Sequence, residues 1–426
     1  MYHSVIGRRL VGCVNRRDGT AFTVREFFDK VYVPLFFGSA RMLQYVNNSP
    51  FAQTFTAQKK KFTTELMEEC LRKVHSKVQE QEPDASFFLG GPATGNTEST
   101  SGQVTSMSVP VSNEDVYASW IGAALGITVG GGETILIDAD DVLMTAYDGW
   151  AEYRRFLDQT PTMEPFKINA WNGQWVTNRL SGNPFFDLKS NKDGTAPEPE
   201  GWAQLVFALS HHYSTMPNRR VLAYVYKFGK INETLGFVQM NLPEVKRLVQ
   251  LYQQIFTVPQ GMQPKDFENL YTTAEAFRFA CGRTEIGLRA LKPQDVFKAE
   301  RGVPTSPKGT DAEKQIAFDT YQTWIIAMLN NKELMPLAGE LASALNSFRQ
   351  QDTRMKSVNA QQVEELLGKK NRRDFIDELA KLLEKDSSNC ELYERVVYEL
   401  MSLSPDNVPL FLTLLRFQYA AAKAKS

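Results

Sequence analysis

Beyond residues 293–310, PQDVFKAERGVPTSPKGT, the chain carries helical spacing and nothing else, and this break constrains the fold more than any other feature of the sequence. The stretch mixes Pro, Gly, Ser and charge, the composition of a linker. After it, amphipathic helices are expected over Asp311–Asn331, Glu333–Arg349, Ala360–Leu367, Asp374–Lys385, Cys390–Met401 and Asn407–Lys423. Apolar positions three and four apart, as at Leu379, Leu382 and Leu383, give each helix one face to bury. Such faces are satisfied against one another, so residues 305–426 are expected to form an all-α bundle.

The preceding part is different. A chain of 426 residues exceeds one ordinary core, and 42% hydrophobic with 23% charged residues is globular composition, so two or more domains are expected. Residues 1–304 read as a mixed α/β domain, and the fold class is therefore α+β. Thr134–Asp138 reads as a strand and Tyr147–Leu157 as a helix. GWAQLVFALSHHYS reads as another helix, and RRVLAYVYKFGKINETLGFVQMNLPE as a strand pair. Phe51–Glu80, with Phe55, Phe62, Leu66, Cys70 and Val74, reads as one amphipathic helix bearing Lys59, Lys60 and Lys61. Residues 86–114 are rich in Gly, Ser and Thr and read as a long loop.

Several function classes lose ground on composition. The formal net charge is −1, so no global basic field exists and nucleic-acid contacts would have to come from local patches. Cys13, Cys70, Cys281 and Cys390 lie far apart without CxxC spacing, which argues against a zinc site and for reduced, mostly buried thiols. The first residues lack the pattern of a signal peptide, and no apolar run approaches a membrane span, so a cytoplasmic protein is expected.

No catalytic pattern is coherent. GITVGGGETILID is glycine-rich beside a strand but lacks the lysine of a phosphate loop. Asp138, Asp140 and Asp141 cluster after that strand, where carboxylates hold Mg²⁺ in metal-dependent nucleases. Glu152 and Lys167 follow without the spacing such a nuclease needs, and the bland reading is a helix cap. His211 and His212 are adjacent, so on a helix they point apart and cannot easily share a metal. The sequence asks for no cofactor.

WNGQWVTNRLSGN, residues 171–183, is the densest candidate for recognition. Asn172-Gly173 reads as a hairpin turn, and Asn172, Gln174, Trp175, Asn178 and Arg179 supply the amides, guanidinium and ring that read or stack on bases. The alternative is a hairpin whose tryptophans are core. Asn96 and Gln103 in the long loop are second candidates for the same role. The basic clusters Lys59–Lys61 and Lys369, Lys370, Arg372 and Arg373 are candidate phosphate contacts, or else solvated faces.

With the bundle ending in DNVPLFLTLLRFQYA, and with GWAEYRRFL, INAWNGQWVTNRL and LAYVYKFGKINETLGFV before it, the chain resembles the large subunit of type I CRISPR Cascade surveillance complexes, of the type I-B-like kind. The resemblance implies a non-catalytic subunit bound to guide RNA, target DNA and the backbone and small subunits of the complex. It further implies an N-terminal domain that recognises the protospacer-adjacent motif and helps open the duplex. The C-terminal bundle would be similar to a small subunit and would contact the displaced strand, and cleavage would belong to a recruited helicase-nuclease. Two other readings remain open: a metal-dependent nuclease using Asp138, Asp140 and Asp141, and a helical scaffold without a nucleic-acid role.

Overall fold

The computed structural model describes residues 2–80, 87–90, 111–216, 218–227, 233–256, 264–271, 274–293, 299–300, 303–304, 311–351 and 356–425. The fold class is α+β. Two compact units divide the chain: residues 1–243 with 272–286, and residues 244–271 with 287–426. The second unit thus begins before residue 305 and takes in an earlier segment as well. Most of the linker and both Asn96 and Gln103 lie outside the described residues.

The first unit is organised around one close helix crossing. α1 (Tyr2–Asp18) buries Ile6, Leu10, Val11 and Val14. α5 (Asn113–Ala124) starts at a capping box, in which the Ser112 hydroxyl accepts from the Asp115 amide and the Asp115 carboxylate accepts from the Ser112 amide. A Cβ on Gly7 would lie 1.9 Å from the Ala118 carbonyl oxygen, and one on Gly122 would lie 1.9 Å from that of His3. Only glycine lets these backbones touch. Between them in sequence, α2 (Val24–Phe27) passes through a π turn into α3 (Val33–Phe37), which is followed later by α4 (Thr64–Glu80). Phe28, Tyr32, Phe36, Phe37, Trp120 and Trp150 stack into an aromatic core.

Phe51–Glu80 is not one helix. A π turn at Ala52–Ala57 ends near Lys59, whose φ of 51° is left-handed, and α4 begins only at Thr64. Lys59, Lys60 and Lys61 therefore sit exposed in a turn rather than on a helix face.

The sheet of the first unit has the order β1-β2-β3-β4-β5: β1 (Ile127–Val129), β2 (Glu133–Ile137), β3 (Arg220–Lys227), β4 (Glu233–Asn241) and β5 (Glu285–Ile286). The first three pairings are antiparallel and β4-β5 is parallel. α6 (Asp140–Gln159), α7 (Ile168–Leu180), α8 (Trp202–His212) and α11 (Ala274–Gly282) complete the unit. α7 overturns the hairpin expected at residues 171–183. Gly173 is not a turn residue: it lets the helix lie on the sheet, where a Cβ would come within 3.1 Å of the Thr128 carbonyl oxygen. Trp171 and Trp175, one turn apart, donate their indole N–H groups to the carbonyls of Gly149 and Thr145 on α6.

The second unit is helical. α9 (Leu242–Ile255) leads into it, followed by α10 (Pro264–Asn269), a minimal ribbon of β6 (Ala299–Glu300) and β7 (Val303–Pro304), and then α12 (Asp311–Leu329), α13 (Leu334–Gln350), α14 (Lys356–Leu367), α15 (Arg372–Leu383), α16 (Cys390–Ser402) and α17 (Val408–Lys425). Leu337, Leu341, Leu345, Phe411, Leu415 and Phe417 are among its buried apolar residues. Arg247 on α9 donates to the Ala327 carbonyl and to Asn330 at the end of α12, which ties the early segment to this unit.

Candidate nucleic-acid interface

The amide-rich segment is inside the protein. Asn172 is fully buried and donates to the carbonyls of Ala124 (2.7 Å) and Gly126 (3.0 Å). Gln174 accepts from the Lys189 amide and donates to the carbonyls of Lys189 and Glu198, all at 2.7 Å. Asn178 donates to the Phe185 carbonyl at 2.7 Å. Asn172 thereby closes off two buried backbone carbonyls that would otherwise lack a donor, while Gln174 and Asn178 tie down the part-buried and exposed chain at residues 185–198. Asn172 and Gln174 are thereby withdrawn from reading base edges, and Trp175 is core. Of the five residues, Arg179 alone is exposed, with its guanidinium 4.3 Å from the centre of the Trp175 ring.

Each of the three aspartates already has partners. Arg9 pairs with both Asp138 and Asp140, and Arg16 reaches Asp140 at 3.0 Å. The hydrogen bond from Arg9 holds the Asp140 carboxyl below its ordinary pKa. Asp141 turns elsewhere: it pairs with His212 Nε2 at 2.8 Å and accepts from the Tyr213 hydroxyl. Burial opposes its charge, yet those two hydrogen bonds outweigh it and keep its pKa low. The cluster forms ion pairs between α1, α6 and α8, and the carboxylates do not converge. Among the described residues no group of three or more His, Cys, Asp or Glu is placed to hold a metal. All four cysteines are free thiols, and three are buried.

The sheet offers an open face that the sequence did not single out. Along β3, Val221, Ala223 and Val225 are buried, while Arg220, Leu222, Tyr224 and Tyr226 point to the other side. On β4, Phe237 and Gln239 pair with Tyr224 and Leu222 and so share that side. Tyr2 and His3 of α1 cover part of it, with ring centroids 5.2 Å for Tyr2–Tyr224 and 4.6 Å for His3–Tyr226. Beyond that, the described residues leave the face open: Phe237, although Tyr2 also packs edge-on against it at 5.0 Å, is 50% and Leu222 40% exposed, and Arg220 and Gln239 are exposed beside them. The signal was present in the alternation Arg-Val-Leu-Ala-Tyr-Val-Tyr, but alternation alone does not say which face stays open.

In the second unit the basic cluster is only partly available. Lys369 pairs with Glu378 at 3.3 Å, and Arg372 donates to the Leu403 carbonyl. Lys370 and Arg373 remain exposed, the latter with a weak 3.9 Å contact to Asp377.

No family model, curated protein or solved structure matches the chain. Among the described residues, no helix is long and apolar enough to cross a membrane.

Proposed function

We propose that the chain is a non-catalytic nucleic-acid-recognition subunit of an RNA-guided DNA surveillance complex. It would recognise the protospacer-adjacent motif and hold opened target DNA beside guide RNA, with the backbone and small subunits as neighbours and cleavage left to a recruited helicase-nuclease. The observation that carries the nucleic-acid part is the open sheet face. A half-exposed aromatic ring and an aliphatic side chain, flanked by an arginine and an amide, form a stacking platform with a phosphate-seeking cation at its margin. Single strands with unstacked bases are the nucleic acids such a platform suits. The RNA-guided part rests on the resemblance of the sequence segments and is supported by a helical C-terminal unit of the expected kind. The nuclease reading loses support because Arg9, Arg16 and His212 already pair with its carboxylates.

Recovery of the tagged chain from its native cells tests this reading. Co-purifying short guide RNA of repeat-and-spacer type, together with several stoichiometric proteins, is the expected result. A chain recovered free of RNA would refute it.

A further inference from the structure

A groove runs over α15 and α16 in the second unit. One end, about 620 Å³, is lined by Lys370, Arg373, Met401, Val408 and Pro409. The other end, about 410 Å³, is lined by Leu379, Leu383, Glu394, Val397 and Tyr398. Ile376 and Met401 line both, so the two form one channel. Tyr398 and Met401 stand on its rim, 72% and 60% exposed. The helices are antiparallel, since Arg372 at the start of α15 donates to the Leu403 carbonyl just past α16. The groove is consequently polar along its length. Of the lining residues, Lys370 and Arg373 are exposed at one end and Glu394 at the other, with exposed Glu391 one turn before it on α16. Asp377 offsets part of the basic end through its 3.9 Å contact with Arg373.

We infer that this groove binds a second copy of the same chain across a two-fold axis. In such a contact each surface meets itself turned end for end. A groove with opposite charges at its two ends is then self-complementary: Lys370 and Arg373 of each copy meet Glu391 and Glu394 of the other. The same face also supplies both shapes required, a protruding Tyr398 and Met401 and an apolar channel to receive them. Nucleic acid is the poorer occupant, because its phosphates would meet Asp377 and Glu394 and an apolar floor. A contiguous exposed apolar surface of this kind marks an interface rather than ordinary solvent-facing surface.

Light-scattering mass measurement on the full chain, across a concentration series, tests the inference. The wild type is expected to pass from monomer to dimer mass, and Tyr398→Glu, at an exposed position, to stay monomeric. Arg373→Glu and Glu394→Lys each set like charges against one another at both ends, so each alone is expected to be monomeric. Mixed together, they restore opposite charges at both ends, and dimer mass should return. That rescue separates loss of the contact from loss of folding. A wild type that stays monomeric at every concentration would overturn the inference. So would a dimer indifferent to all three substitutions, or a mixture that fails to recover. Loss of oligonucleotide binding by Tyr398→Glu in a chain that is monomeric throughout would assign the groove to nucleic acid instead.

Discussion

Gly7 packs its Cα against the backbone carbonyl of Ala118, so closely that a Cβ there would lie 1.9 Å from the oxygen. Gly122 repeats the arrangement toward His3 one turn away, and the two glycines set the spacing of α1 and α5. Gly7→Ala must push backbone against backbone, which no rotamer change relieves. A loss of about 1–3 kcal/mol is expected in urea unfolding. Gly12→Ala on the same helix is the control, since its nearest contact would be the Arg16 side chain at 3.6 Å. There the better helix propensity of alanine should stabilise by up to about 1 kcal/mol. Equal effects at both positions would mean that the crossing is not close.

Asn172→Ala and Gln174→Ala should act on stability, not on target choice. Asn172→Ala removes the donor that satisfies two buried carbonyls, and Gln174→Ala the donor to two part-buried ones, so the larger loss is expected at Asn172. An orphaned buried polar group costs about 1–3 kcal/mol. Chemical unfolding should show that loss, while the ratio of affinities for matched and altered flanks stays at the wild-type value in whatever protein remains folded. A changed ratio would return the segment to the recognition site.

Two buried groups make the units respond oppositely to acid. Burial lowers the pKa of His3 from 6.5 to about 3. The unfolded chain therefore takes up the His3 proton first, and stability falls as pH drops from 6.5 toward 3, by about 1.4 kcal/mol per pH unit at the steepest. Burial raises Asp319 from 3.8 to about 6, so the folded state keeps its proton longer and stability falls as pH rises from 3.8 through 6. His3→Phe should flatten the acid-side loss, and Asp319→Asn should flatten the loss near pH 6. Unfolding midpoints measured across that range check both signs.

Mg²⁺ should neither stabilise the protein nor elicit DNA cleavage. Asp138 and Asp140 are charge-neutralised by Arg9 and Arg16, and the Asp141 carboxylate is occupied by hydrogen bonds with His212 and Tyr213. Ligand linkage would raise the melting temperature if the ion bound only the folded state. A magnesium-dependent rise that Asp140→Asn removes would reopen the nuclease reading.

The legible parts of the fold were those where one periodicity dominates. β2 and the β3-β4 pair fall on the stretches read as strands, and the helices from α12 onward follow the leucine spacing. α7 was not legible because it is buried on nearly all sides, so its apolar pattern has no polar face to reveal a helical period. Asn172-Gly173 then read as a turn, although the glycine serves close packing on β1 and the amide serves two carbonyls. Lys59–Lys61 were misplaced for a different reason: the interruption at a left-handed Lys59 has no Gly or Pro to announce it. The open sheet face was invisible because which side of a strand is covered depends on α1, more than 200 residues away in sequence.

Binding of a fluorescent single-stranded oligonucleotide by wild type and by Phe237→Ala decides whether the open sheet face stacks bases. Phe237 is half exposed on the sheet, so its truncation should leave the fold intact. Phe237→Ala is expected to bind more weakly by about 1–3 kcal/mol, the worth of one stacked base. Wild-type affinity in Phe237→Ala, with Leu222→Ser and Arg220→Ala equally silent, would contradict it.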